Sequence, residues 1–249
     1  MLTNLARKYF QEFSASVAFV EILDKNGDSQ IGSAYHIGEG VFVTARHVVD
    51  VAKIKQVGFN PRFVNEIVGD KFEIFPIKPD LNIIQGPFFH PDPTIDVACF
   101  KCDNDQLPAI PLGSHLDDWI GDELILTSTL VMGYPPIPFA KDPLLVATIA
   151  EINAIVDKYT GGHPHFVLSA MARGGFSGGV AISEYGFAMG VVTESLTENH
   201  NPTELGYFSV ISVEPIYVCL AHHKIMPNCV KEMWIDLDGS SIWDNINPY

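Results

Sequence analysis

Positive charge and long apolar runs are what this sequence has least of. Of its 249 residues only 15 are Lys or Arg, against 30 Asp or Glu, for a formal net charge of −15. Nucleic-acid binding rests on clustered cations that displace counterions from phosphate, so no nucleic-acid partner is expected. The same charge disfavours an anionic membrane surface. No run of eighteen or more apolar residues occurs, so no helix able to cross a bilayer is expected. The opening stretch MLTNLARKYFQEF carries Arg7 and Lys8, but Gln11 and Glu12 interrupt the apolar core that a secretory leader requires. A cytoplasmic chain without membrane contact is therefore expected.

Cysteine is scarce as well. Cys99 and Cys102 make a C-x-x-C, but Cys219 and Cys229 supply no matching ligand spacing, and Cys99 falls in a strand-like run. The four read as buried or free thiols of a reducing compartment rather than as a metal site, and no metal or organic cofactor is expected.

Helical periodicity is the third shortage. Only 45–53 and 214–224 carry a helical pattern, the latter with apolar residues at 216, 219 and 220. Strand signals fill the rest. SVAFVEIL (16–23) is followed by a turn containing Asn26-Gly27, a strong hairpin signal, then by 30–38 and 40–45. Further strands are expected at 54–59, 72–77, 95–100, 123–132, 144–156, 165–171, 179–183, 187–194 and 206–213. Many short strands between Gly, Pro, Asn and Asp clusters argue for a sandwich or barrels and against a βαβ fold. With 47% hydrophobic and 18% charged residues the chain can bury a substantial core. The proline-broken stretch 107–122 divides it into β halves at 1–112 and 113–224, and 225–249 reads as an acidic tail.

Against these shortages stands one excess, the four glycines around Ser177 in RGGFSGGVAIS (173–183). Such a cluster marks a sharp turn or a close approach of bare backbone. It suits a solvated turn, and it equally suits a nucleophile held among free N–H groups. A serine needs a base to take its proton and a third group to orient that base. Among nine histidines, His47 is distinguished by its place in GVFVTARHVVD, where an apolar strand ends and a helical turn begins. In PTIDVACF, Asp96 directly precedes an apolar strand, where an ionised carboxylate needs hydrogen-bond donors.

The order His47, Asp96, Ser177 is that of chymotrypsin-type proteases, and it differs from subtilisins and α/β-hydrolases. VTARH resembles the T-A-x-H motif of that clan, DVACF its aspartate strand, and GGFSGG its G-x-S-G-G. VMGYPP (131–136) is similar to a strand end of compact HtrA-type and bacterial trypsin-like peptidases, and GVVTES (190–195) to the strand lining their cleft. The resemblance covers roughly 14–220. It implies an all-β fold of two six-stranded antiparallel barrels with a C-terminal helix, and a serine endopeptidase acting on a protein or peptide substrate. It further implies Ser177 as nucleophile, His47 as base and Asp96 as its orienting group, with the N–H groups of Gly175 and Ser177 as oxyanion hole. Thr193 resembles the hydroxyl residue that supports the aspartate. Substrate binding is expected from Met171 and Ala172 at the base of an uncharged primary pocket, from Thr193 and Gly206 at its walls, and from the backbone of Thr193, Glu194 and Ser195.

GFSGG also satisfies the G-x-S-x-G of α/β-hydrolases, but that elbow needs a helix after the serine and a histidine downstream. Here VAIS follows, and the candidate histidine lies upstream. Two other readings stay open: a protease fold that has lost catalysis and serves as a binding module, and a protease subunit of a larger assembly with a regulatory protein partner. Phe176 stands where trypsin-type zymogens carry the aspartate that pairs with a new amino terminus, so activation by that salt bridge is not expected.

Overall fold

In the computed structural model, strands form where β-branched and aromatic residues cluster, and most of them are buried on both faces. The structure describes residues 3–23, 26–50, 53–59, 63–68, 71–76, 80–104, 106–113, 122–157, 163–171, 175–193, 197–198, 201–202 and 207–232. The first half contains helix α1 (Thr3–Phe13), strands β1 (Val17–Leu23), β2 (Ser29–Gly38) and β3 (Val41–Thr44), the single-turn helix α2 (Arg46–Val49), and β4 (Lys53–Gly58). It continues with β5 (Phe63–Val68), β6 (Lys71–Pro76), β7 (Asp80–Leu81), β8 (Ile83–Phe89) and β9 (Ala98–Cys102). The second half contains β10 (Ser128–Gly133), β11 (Val146–Asp157), β12 (Pro164–Met171), β13 (Val180–Ser183) and β14 (Ala188–Val192). A minimal hairpin of β15 (Thr197–Glu198) and β16 (Asn201–Pro202) precedes β17 (Tyr207–Ser212), α3 (Glu214–His222) and α4 (Asn228–Glu232).

The second half is a closed antiparallel barrel in the order β10-β11-β12-β17-β14-β13, with the six strands expected. The first half is a seven-stranded antiparallel sheet, β7-β4-β1-β2-β3-β9-β8. It departs from the expected six-stranded barrel because the β5–β6 hairpin pairs only with itself among the described residues, and the two-residue β7 takes the edge beside β4. The fold is thus the expected all-β chymotrypsin-like one, with a closed barrel and a half-barrel where two six-stranded barrels were expected.

Period-two alternation explains the arrangement. Along β1, Ala18, Val20 and Ile22 point into the interior of the first sheet, where Phe42, Val57 and Phe100 meet them. Val17 and Phe19 point the other way, into an apolar cluster that runs on through Met132, Phe166 and Val191 of the closed barrel. Both faces are therefore buried, and β1 reads as a continuous apolar run instead of an alternating one. Cys99 and Cys102 fall on opposite faces of β9 by the same rule, one in each cluster, so this C-x-x-C cannot close on one ion. None of the four cysteines is disulfide-bonded. Burial raises the Cys102 thiol to about 12.

The connection between the halves is pinned to both. Ile110 N–H donates to the His36 carbonyl (2.9 Å), and Gly113 N–H and Ala188 N–H exchange bonds with Ala188 and Pro111 carbonyls (both 2.8 Å). Ser16 Oγ donates to the Pro108 carbonyl (2.6 Å), and the Tyr217 hydroxyl to that of Gly113 (2.8 Å). Helix α1, which the sequence reading did not anticipate, buries Ala6 and Phe13 and packs Tyr9 and Phe10 against the same cluster. Among the described residues no helix is long and apolar enough to cross a membrane.

Phe42 and Phe100 stack at 5.5 Å with planes 3° apart, and both are fully buried. Phe100→Ala is expected to cost about 3–5 kcal/mol through lost burial and the cavity left behind. A lowered urea midpoint at unchanged slope would show it. A loss under about 0.5 kcal/mol, the size of an ordinary surface change, would contradict this packing.

Candidate active site

The site begins with short elements that leave the first sheet at one end. β3 ends at Thr44, and α2 starts two residues later, so His47 sits in the first turn beyond a buried strand. Val48 of the same turn lies against Gly32, where an added Cβ would meet Val48 Cγ1 at 2.5 Å. The lack of a side chain at Gly32 therefore lets α2 lie directly on β2. Asp96 comes from the loop that enters β9, between buried Ile95 and Val97. That loop is closed by His90 N–H donating to the Val97 carbonyl (3.1 Å) and Ile95 N–H to that of Asp92 (3.2 Å).

His47 and Asp96 meet twice. Asp96 Oδ1 accepts the His47 main-chain N–H at 2.9 Å, and Oδ2 lies 2.8 Å from Nδ1 of the ring. Both carboxylate oxygens are thus engaged by one residue. The two side chains are 35% and 28% exposed, so the pair is partly open to solvent. An ionised carboxylate accepting from Nδ1–H leaves Nε2 as the basic nitrogen. The Thr193 hydroxyl has another acceptor: it donates to the Ser209 carbonyl (3.3 Å). The expected support of the aspartate by Thr193 is therefore not what its proton does; the second carboxylate oxygen is satisfied by the His47 main chain instead.

Ser177 comes from the closed barrel and is tied to the first sheet at Ser33. Ser33 N–H donates to the Ser177 carbonyl (2.8 Å), and Thr44 Oγ1 donates to the Ser33 carbonyl (2.7 Å). Gly178 has φ +83°, and a Cβ there would run into Ser33 O and Thr44 Oγ1. Glycine is thus required both by the backbone angle and by the closeness of the first sheet. Gly175 has φ +90°, and its missing Cβ would meet Tyr134 O at 2.6 Å and Pro135 Cα at 2.7 Å. The Phe176 ring between them is buried in the main apolar cluster. Gly178 N–H to Val192 O (2.7 Å) and Val192 N–H to Gly179 O (2.8 Å) hold the segment against β14.

The structure therefore brings the Ser177 main chain, with Gly175 beside it, against β2, and Gly178 against Thr44 at the end of β3, the strand that leads to His47. Thr193 lies just past β14 and is buried. Met171 ends β12, its backbone opposite Tyr207. Ala172, Glu194, Ser195 and Gly206 lie outside the described residues. Sequence reasoning missed Ser33. The signal available was a run of small residues, Gly32-Ser33-Ala34, in a strand that is otherwise bulky. Among the described residues no group of three or more His, Cys, Asp or Glu is placed to hold a metal ion.

With this geometry in place, comparison with known proteins is decisive for the family. The family model described as trypsin-like peptidase domain matches residues 32–191, well over half the chain. The chain belongs to the trypsin-like peptidase domain family. The matched span of this peptidase domain contains His47, Asp96 and Ser177. No curated protein matches the sequence. Among solved structures, the Rv3671c protease of M. tuberculosis in its active form is similar with TM-score 0.60 at 18% identity, over 89% of this chain and 86% of that one. Its inactive form gives TM-score 0.58 at 18% identity, over 89% and 95%. The HtrA-type protease AlgW with a tripeptide gives TM-score 0.57 at 20% identity, over 92% of this chain and 64% of that one. The peptidase domain thus spans under two thirds of the AlgW chain. At these identities the likeness is one of fold.

The loop that carries Asp96 contains a pH-sensitive residue. His90 is 3% exposed, Asp92 N–H donates to its Nδ1 (3.1 Å), and its Nε2 is buried without a hydrogen-bond partner. Burial holds its pKa below the ordinary value, with Asp92 opposing that shift and His163 and His222 adding to it. In the pH window between the depressed folded value and the ordinary value near ~6.5, the unfolded chain binds the extra proton. Stability is therefore lost as pH falls through that window. The melting temperature should drop on going below about pH 6.5, and His90→Asn should flatten the drop. Parallel curves for wild type and His90→Asn would show that His90 is not responsible.

Proposed function

We propose that this peptidase domain is a serine endopeptidase that cleaves protein or peptide substrates through an acyl-enzyme. The observation that carries the reading is the double contact of Asp96 with His47, at 2.9 and 2.8 Å, on the turn just past Thr44, against which the glycine-bounded serine segment lies at Gly178. Ser177 Oγ attacks the scissile carbonyl while His47 Nε2 takes its proton. The same nitrogen then gives that proton to the leaving amine, and water repeats the sequence to release the acyl group. Asp96 keeps the ring proton on Nδ1 and stabilises the imidazolium. The N–H groups of Gly175 and Ser177 receive the negative charge that develops on the carbonyl oxygen.

An extended substrate adds as a strand along Thr193, Glu194 and Ser195. Met171, Ala172, Thr193 and Gly206 offer no buried charge, so the primary pocket takes a small or medium apolar side chain, because an unpaired substrate charge there is costly. Neither a metal nor an organic cofactor takes part. The Phe176 ring is buried in the barrel core, which supports an oxyanion loop ordered without an ammonium–aspartate pair.

Cleavage of a peptide library tests the proposal. Ser177→Ala and His47→Ala should each lower kcat by about 10⁴–10⁶, with chelators having no effect. Asp96→Asn should lower it by about 10⁴. The asparagine amide presents one oxygen to two N–H donors, so one of the two contacts to His47 is lost. Near-wild-type cleavage by Ser177→Ala refutes the reading, and a profile dominated by Arg and Lys at the scissile position refutes the apolar pocket.

A further inference from the structure

Every polar group of Ser33 is engaged where the halves cross. It is fully buried on β2. Its N–H donates to the Ser177 carbonyl (2.8 Å), and its carbonyl accepts from Thr44 Oγ1 (2.7 Å). Its hydroxyl lies 2.6 Å from the Gly175 carbonyl and 2.8 Å from Tyr134 N. A hydroxyl has one proton to give. Tyr134 N–H can only donate, so Oγ accepts from it, and the proton is left for the Gly175 carbonyl, which can only accept. The hydroxyl therefore has a single orientation.

We infer that the Ser33 hydroxyl is a positioning group for the oxyanion loop, an inference that rests on the peptidase reading above. Gly175 can rotate more freely than any other residue type, and a loop of that kind loses its donor geometry when one peptide turns. Here its carbonyl is anchored from the first sheet by Ser33. Behind it stand Tyr134 O and Pro135 Cα, at 2.6 and 2.7 Å from where a Cβ would lie. That carbonyl belongs to the peptide that follows Gly175, so its anchoring restrains rotation about the Gly175 Cα–C bond, and the Gly175 N–H is joined to it across a φ of +90°. Two residues on, the Ser33 N–H fixes the carbonyl of Ser177. One strand residue thus clamps both amino acids whose N–H groups are the proposed donors. The same hydroxyl holds Tyr134, so the segment after β10 and the oxyanion loop share one anchor. Ser33 touches no reacting atom and acts only through Gly175 and Ser177.

The role separates from simple stability by its kinetic signature. Ser33→Ala deletes the hydroxyl and leaves the main-chain bonds. Loss of an oxyanion donor lowers kcat by about 10²–10³, so a fall of about 100-fold at nearly unchanged KM is expected. Affinity for a peptidyl boronate, which forms a tetrahedral adduct on the serine, should fall by a similar factor. Affinity for the cleaved product peptide of the same sequence should stay near that of the wild type. Ser33→Gly, which removes the Cβ together with the hydroxyl, should behave alike and serves where the alanine chain does not fold. A folded variant with wild-type kcat, or one whose KM rises while boronate affinity holds, overturns the inference. Failure of both variants to fold overturns it too and makes Ser33 a stability residue. A wild-type chain that cleaves no peptide refutes the peptidase reading itself. A cleaving wild type matched by its Ser33 variants refutes only the clamp.

Discussion

The approach of Gly178 to Ser33 and Thr44 is the constraint on which the rest of this structure depends. At that crossing a strand of the first sheet and the Ser177 segment of the barrel lie so close that a single added carbon would run into Ser33 O and Thr44 Oγ1. Main-chain hydrogen bonds join the halves at this point, beside the apolar cluster that runs through both. Because Thr44 also ends the strand that leads to His47, the same crossing sets where His47 stands relative to Ser177. Small residues at the crossing and large ones around it follow from one requirement. Backbone polar groups buried at a joint must all find partners.

Electrostatics reinforces what packing begins. Asp96 could be stabilised in a half-buried position only by donors, and His47 supplies two, one from its main chain and one from its ring. Its main-chain donor fixes the carboxylate whatever the ring does, so the ring is turned by a partner that is itself held. The apolar cluster running through both halves supplies the surrounding rigidity. The loop that carries Asp96 also carries buried His90, whose charged form burial disfavours.

Much of this was legible in the chain. The strands flanking His47, Asp96 and Ser177 announce themselves through β-branched residues, and the glycines around Ser177 mark the close approach directly. Four features were not. Helix α1 is amphipathic, but its Ala6, Tyr9, Phe10 and Phe13 spacing lies in a stretch that was weighed only as a leader. β8 was hidden because Gly86-Pro87 interrupts it, and its register with β9 shifts between Gln85 and Phe88. Thr193 was assigned to the aspartate by resemblance, whereas its proton goes to the Ser209 carbonyl. Ser33 could not be singled out from sequence, since its importance lies in partners about a hundred and more residues away that only the fold brings together.

The most direct measurement of the central claim is the site of reaction with a fluorophosphonate, read by mass spectrometry on the folded chain. Such a reagent phosphonylates a serine hydroxyl only when a base activates it and an oxyanion site receives the charge. The account predicts one adduct, on Ser177, that disappears in His47→Ala while the fold is kept. A folded wild-type chain that takes up no reagent, or takes it up elsewhere, would contradict it.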